Sequence, residues 1–540
     1  MPALEKNHIY RSTIEGYSSE GLGVARIGGQ VVFVHDAVRG EDCDILVMKV
    51  LKNVAFGKPV LRHSTSPHRQ EPDCPYYGRC GGCDFRHLDY AEELWAKHQR
   101  VQDALTRLGG SDVTVEEILG AAQPLRYRNK SQYPVSADGR VGFYRARSHQ
   151  VVEVEHCLLQ KPQADALAAA LRQYLAQYHV PGYDETTGRG LVRHLYMRSN
   201  CKGESLVCLL VNGESLPYET ELVALLRQAA PQTVGVVLGV NTRPGNAILG
   251  DRYRTLWGED ALTDVLCGRT VRLSVPSFYQ VNHPQAEVLY GKALEFAGLT
   301  GTELAVDLYC GAGTITQVLA RQARHVIGGE IVPEAIRDAR ASARRNGVEN
   351  VEFLGGDAAD VAAELALRQL RPDVICVDPP RKGLAPEVIA SIAAMAPRRV
   401  VYVSCDPGTL GRDVKRFAEM GYLARRAVAV DLFPRTRHVE TVCLLSKLQS
   451  KEHIEIEVAM DEMDLTSSES KATYEEIREY VFEHTGLKVS HLYIAQVKQK
   501  YGIIERENYN KPKSENAKQP QCPPEKEKAI TEALRHFGMI

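Results

Sequence analysis

The residues best suited to chemistry stand where an apolar run stops. In RRVVYVSCDPGTLGRD, residues 398–413, the β-branched stretch ends at Ser404, Cys405, Asp406 and Pro407. A strand that delivers one cysteine to a sheet edge beside a turn can present an exposed thiolate nucleophile, although a free cysteine there also packs well as a small hydrophobe. Glu440, in RHVETV, could take a proton in the same site or be a structural carboxylate paired to Arg437 and His438. A third set is CPYYGRCGGC, where Cys74, Cys80 and Cys83 fall within ten residues of a loop containing Gly and Pro. Three sulfurs so placed can meet one metal centre, which needs a fourth ligand, and Cys157 in VVEVEHCLLQ is the best match for it. The spacing suits zinc as well as iron and sulfur. CGGC alone could be a redox pair, a reading that leaves Cys74 without a role.

These groups need a scaffold of several parts. At 540 residues the chain exceeds a single core and predicts about three or four domains. Its 44% hydrophobic and 25% charged residues place it among ordinary globular proteins and outside the disordered and fibrous classes. No apolar run approaches the roughly 20 residues of a membrane span, and MPALEKNHIYRS lacks the apolar core of a signal peptide, so a cytoplasmic monomer without a membrane partner is expected. In that compartment 13 cysteines argue for metal or catalysis rather than a disulfide framework. A net charge of -2 excludes a uniformly basic surface and leaves nucleic acid to a local basic cleft.

Residues 1–62 alternate short apolar runs with Gly-rich turns such as EGLGVARIGG, the rhythm of a small β-barrel. The stretch resembles a TRAM domain, an RNA-binding barrel. Residues 63–275 mix helical and strand-like runs and hold the cysteines. LRYRNKSQYPV sets Arg126, Arg128 and Lys130 at alternate positions of one predicted strand face; GFYRARS adds Arg145 and Arg147, and LVRHLYMRSN adds Arg193 and Arg198. Basic residues alternating with Tyr suit phosphate contact and base stacking, so an RNA-facing lobe is expected, a solvated strand face being the plainer alternative.

Residues 276–446 read as doubly wound α/β. TELAVDLYCGAGTITQVLA is strand, glycine turn and helix; RHVIGGEIVPEAIRDARASARRNG repeats strand then helix; VEFLGGD, RPDVICVDPPRKG and RRVVYVSCDP add strands, and VDLFPRTRHVETVCLLSK closes as a hairpin. The glycines let a ligand approach the backbone at a strand's carboxyl end, and Glu330, ending the next strand, can accept both hydroxyls of a ribose. NAD would meet that geometry too. Thr-Ile-Thr in place of a third glycine favours a nucleoside without a pyrophosphate.

In this order DLYCGAGT, the acidic strand end, DPPRKG, SCDP and FPRTRHVETV resemble the RNA uracil-C5 methyltransferase family. With the barrel and four cysteines in front, the likeness is to the branch acting on 23S, large-subunit ribosomal RNA, because the transfer RNA enzyme is expected to lack both additions. It covers residues 1 to about 446. The resemblance implies an α/β, Rossmann-like SAM-dependent methyltransferase domain behind a TRAM-like β-barrel and an α+β central iron-sulfur lobe. Uracil C5 attacks a methyl group only after a thiolate has added to C6, and the C5 proton must then be removed. The family's nucleophile falls on Cys405 and its general base on Glu440. Its cofactor contacts, to S-adenosyl-L-methionine, fall on Gln280, Tyr309, Glu330 and Asp378. It implies a 4Fe-4S cluster on Cys74, Cys80, Cys83 and Cys157, structural rather than electron-carrying, since methylation moves no electron. The target uracil would have to be splayed out of folded RNA.

Residues 447–540 depart from that pattern. Residues 447–472 read as an acidic linker, and 473–540 as a helical tail, helix-turn-helix-like, opened by a Thr473/Glu476 capping box. Competing readings are a transfer RNA uridine as acceptor, a cytosine in DNA, and a non-catalytic RNA-binding or chaperone protein on the same fold.

Overall fold

The computed structural model describes residues 4–447 except 246, 474–501, and 522–539 except 538. The chain forms two compact units, residues 1–452 and 453–540.

In the first unit five strands, Ile9–Tyr17, Gly23–Ile27, Gln30–Val34, Asp42–Val50 and Val54–Ser64, close into a barrel. Alternate residues point inward, so Ile14, Ala25, Val32, Val34, Ile45, Val47 and Ala55 fill it. A central sheet of five strands follows, with Lys130–Pro134 at one edge and Arg252–Gly258 at the other. Helices Pro162–Gln177 and Glu219–Ala229 cover one face of it.

The largest sheet has eight strands. Val351–Gly355, His325–Glu330, Leu304–Leu308, Val374–Val377 and Arg399–Ser404 run parallel in that spatial order. They are covered on both faces, which explains their nearly continuous apolar sequences. Glu440–Lys447 and Tyr422–Val430 then add the expected antiparallel hairpin. The outermost strand is Val115–Leu119, pairing parallel to Tyr422–Val430. The boundary expected at 275/276 is therefore crossed: residues 90–119, assigned by sequence to the central part, complete the eight-stranded sheet. The preceding helix, Tyr90–Asp103, is capped by Asp89, whose carboxylate accepts from the Glu92 amide at 2.7 Å. Just past this helix the chain packs on helix Pro407–Glu419, and the closest approach is at Gly411, where a Cβ would stand 2.4 Å from the Ala104 carbonyl oxygen. That contact carries the early segment next to Cys405.

The second unit contains helices Tyr474–Thr485, His491–Lys500 and Pro524–His536 around Ile477, Val481, Ile494, Val497, Ile530 and Leu534. The linker beyond Lys447 and the Thr473/Glu476 capping side chains lie outside the described residues.

Candidate active site

The carboxyl ends of the parallel strands deliver the predicted residues to one edge. Tyr309 follows Leu304–Leu308, Glu330 ends its strand, Asp378 follows Val374–Val377, and Cys405 follows Arg399–Ser404. Glu440 opens the adjacent antiparallel strand, in which Ser404 pairs with Thr441. That register brings Cys405 and Glu440 abreast on neighbouring strands.

Their electrostatics confirm a shared environment. Burial pushes the Cys405 thiol up to about 11, with Glu440 and then Asp378 adding to the rise and Arg381 opposing it. Burial likewise raises Glu440 to about 8, again with Asp378 adding and Arg381 opposing. Asp378 is pushed up to about 7 by burial. Two carboxyl groups and a thiol influenced by one guanidinium form a cluster of shifted groups, the type of arrangement that acid–base chemistry uses. Glu440 is not salt-bridged to Arg437, whose guanidinium pairs with Asp84 at 3.2 Å and Glu20 at 3.4 Å. His438 is held neutral, near 4, by burial and by the cations Arg381, Arg437 and Arg100.

Two residues of this cluster had no role in the sequence reading. Arg381 lies inside DPPRKG. Tyr290, buried on helix His283–Ala297, has its hydroxyl raised by burial and then by Asp378, offset by a hydrogen bond with Gln280. An aromatic on the apolar face of a helix reads as core, so periodicity could not single it out.

On the cofactor side, Glu330 accepts from the Gly311 amide at 3.1 Å and the Val332 amide at 2.9 Å. Its carboxylate is thereby fixed, and each oxygen keeps a lone pair for a ribose hydroxyl. Tyr309 and Gly311 both have positive φ, 65° and 53°, and a Cβ on Gly311 would meet nothing within 4 Å, so the backbone there is open to a ligand. Ile331 beside it is 67% exposed, an apolar surface for a flat base. Buried Asp307, raised to about 7, accepts from the Thr316 hydroxyl at 2.6 Å and braces the glycine turn from beneath. The donor set fits a nucleoside.

The four cysteines line one cavity of about 230 Å³ together with Arg86, Arg128 and Lys130. Burial raises the thiols of Cys80 and Cys157 and takes Cys83 to about 12. Among the described residues, no three His, Cys, Asp or Glu side chains converge on a point that would hold a single metal ion.

The predicted RNA-facing strand surfaces are different from expectation. Arg193 and Arg198 are 2% and 3% exposed and donate inward to main-chain carbonyls, Arg193 to Asn241 at 2.9 Å and Arg243 at 2.7 Å, and Arg198 to Val275 and Ser277. Strand Val192–Ser199 is buried on both faces, so alternation marks no wet side there. Arg126, at φ 55°, precedes the strand and binds the Cys157 carbonyl at 2.7 Å and Asp165 at 2.9 Å. Arg128 and Lys130 turn toward the cysteines, and only Arg145 and Arg147 remain exposed.

The sheet order with its glycine turn and acidic strand end defines a SAM-dependent methyltransferase fold. The family described as tRNA (Uracil-5-)-methyltransferase matches residues 268–448, and the TRAM domain matches residues 4–60. An "Uncharacterized RNA methyltransferase" of Clostridium tetani is 40% identical over 82% of this chain and 97% of its own length. Another so named, from Halalkalibacterium halodurans, is 42% identical over 82% and 98%. Among solved structures, the Pyrococcus abyssi tRNA (uracil-54, C5)-methyltransferase in complex with S-adenosyl-L-homocysteine superposes with a TM-score of 0.64 at 24% identity, covering 81% of this chain and all of that one. The chain belongs to the RNA (uracil-5-)-methyltransferase family.

That likeness corrects one expectation. A cover of 81% exceeds what residues 268–448 supply, so an enzyme named for transfer RNA shares much of the front architecture as well. The front parts therefore do not by themselves separate ribosomal from transfer RNA substrates.

Proposed function

We propose that the chain methylates C5 of a uridine in RNA, with large-subunit ribosomal RNA as substrate, through covalent catalysis by Cys405 and Glu440. The observation that carries this reading is the register placing the two residues abreast at the ligand-binding end of the sheet. The Cys405 sulfur adds to C6 of the uracil, and the C5=C6 electron pair becomes an enolate. S-adenosyl-L-methionine, when bound, supplies the methyl group to C5. Glu440 then takes the C5 proton, the C5=C6 double bond re-forms and the thiolate leaves. Arg381, opposing the rise of both the thiol and the Glu440 carboxyl, favours their reactive anionic forms. Glu330, Tyr309, Gln280 and Asp378 would hold the methyl donor and the target base.

An open cleft of about 760 Å³ between the barrel and helix Tyr90–Asp103 gives a large acceptor a way to the site. Tyr17 and Trp95 line it together with Arg26, Arg100 and Arg107, which pair with Glu15, Asp406 and Asp103 in the same lining, and it reaches Asp406–Gly408 beside the nucleophile.

The same reading assigns a 4Fe-4S cluster to Cys74, Cys80, Cys83 and Cys157. The four cysteines share one cavity, where Arg86, Arg128 and Lys130 would offset the charge of the thiolates. Purified protein is expected to contain iron and acid-labile sulfide in equal amounts.

Covalent capture tests the chemistry. With RNA containing 5-fluorouridine, the native protein should form a stable adduct, Cys405→Ala none, and Glu440→Gln should form one on ordinary uridine RNA and fail to release it. Methylation by the alanine variant would end the proposal. Mapping 5-methyluridine in ribosomal and transfer RNA from cells with and without the chain decides the substrate. A transfer RNA uridine is the second reading, favoured by the names of the matched family and the Pyrococcus enzyme.

A further inference from the structure

The loop joining Tyr422–Val430 to Glu440–Lys447 is held by residues from far earlier in the chain. Lys97, fully buried, donates to Asp431 and to Glu93, both at 2.7 Å, and to the Phe433 carbonyl at 3.1 Å. Tyr127 donates to the Pro434 carbonyl at 3.0 Å, and the Arg435 amide donates to Glu93 at 2.6 Å. Arg100 donates to the Arg437 carbonyl at 2.8 Å.

Further ties come from the cysteine loop. Asp84, next to Cys83, uses both its main chain and its side chain. The amides of Asp84 and Phe85 donate to the Arg435 carbonyl at 3.0 and 3.2 Å. The Asp84 carboxylate accepts from the Arg437 amide at 2.9 Å and from its guanidinium at 3.2 Å. The Asp84 carbonyl in turn accepts from the Tyr77 hydroxyl at 2.7 Å, inside the cysteine loop. Three residues after Arg437 the chain reaches Glu440. Cys405 has supports of its own besides its pairing with the Glu440 strand: Val374–Val377 pairs parallel on the other side of its strand, and Asp406 caps the following helix by accepting from the Thr409 amide at 3.0 Å.

We propose that Asp84 is a positioning residue for Glu440, linking the state of the four-cysteine loop to proton removal with a much smaller effect on thiol addition by Cys405. This rests on the roles given above to Cys405, Glu440 and the cysteines. A loop closed around its inorganic core holds Asp84 against Arg435 and Arg437, and so fixes the carboxylate that must meet the C5 proton. A loop without that core releases the segment ahead of Glu440. Misplacing a reacting group by about 1 Å can cost on the order of 10²-fold in rate.

The test uses full-length protein and two readouts that separate the halves of the reaction. Capture of 5-fluorouridine RNA reports addition and methylation, because fluorine cannot be taken off C5 as a proton is. Tritium release from RNA carrying [5-³H]uridine reports proton removal. For Asp84→Ala at native iron content, capture should stay within about threefold of native while tritium release falls roughly 10²-fold, with ordinary uridine RNA left covalently attached. Asp84→Asn, which keeps an acceptor for the Arg437 amide, should fall between. Where the alanine variant loses iron, native protein treated with a chelator should show the same split. Capture and release falling together, or release unchanged at equal iron content in both variants, overturns the proposal. Native-like capture by Cys405→Ala or native-like release by Glu440→Gln would instead overturn the roles on which it rests, whatever Asp84 does.

Discussion

Replacing Glu440 by Gln should move the thiol of Cys405 as well as remove a base. The thiol stands at about 11, against about 8.5 for an ordinary cysteine. Burial leads that rise and survives the substitution, while Glu440 is the first of the charged contributors. Glu440 itself ionises near 8, so the native thiol titrates against a carboxylate already charged. Without that charge the thiol should titrate lower by about one pH unit, or ~1.4 kcal/mol. The tryptic peptide 400–412 contains no cysteine but Cys405, so its alkylation by iodoacetamide can be followed by mass spectrometry across the alkaline range. The midpoint should be lower in the variant, and the two proteins should converge below the Glu440 midpoint, where native Glu440 is protonated and neutral. An unchanged or higher midpoint would show that the two groups do not share a site, and the register argument would fail with it.

The same substitution should have an opposite sign for stability. The Glu440 carboxyl binds its proton more tightly folded, near 8, than in an unfolded chain, so its contribution to native stability is greatest at acid pH and declines as pH rises toward 8. Glu440→Gln escapes the decline; its melting temperature should exceed the native value at alkaline pH, by on the order of 1–3 kcal/mol in stability, and match it at acid pH. A constant offset at every pH would contradict this. Lys97→Met, similar in length, would leave Glu93 and Asp431 facing each other in a buried site, and denaturant unfolding should register a loss of ~3–5 kcal/mol; a loss below about 1 kcal/mol would mean that the network is not structural.

Legibility in the sequence followed burial. Parallel strands covered on both faces are continuous apolar runs, so VDLYCGAG, VIGGE, VICVDPP and VVYVSCDP announced both the strands and the residues at their ends. Those ends carry Tyr309, Glu330, Asp378 and Cys405, and the hairpin register places Glu440 beside them. Buried charge was not legible. Lys97 and Glu93 in EELWAK look like a solvated helix surface, yet both are buried against a loop more than 300 positions away. Arg193 and Arg198 failed for a related reason: a guanidinium that satisfies buried carbonyls has the same spacing as one waiting for phosphate.

The outermost strand of the catalytic sheet, Val115–Leu119, is synthesised about 185 residues before the next strand of that sheet, Leu304–Leu308, so the sheet cannot be cut out of the chain at residue 276. A fragment starting there would leave Tyr422–Val430 with an open row of main-chain donors and acceptors, a template for pairing with another copy. The eight-stranded domain and the central part of the chain are therefore interlaced, and exchange of this catalytic core between proteins must carry the helix and strand at 90–119 along with it.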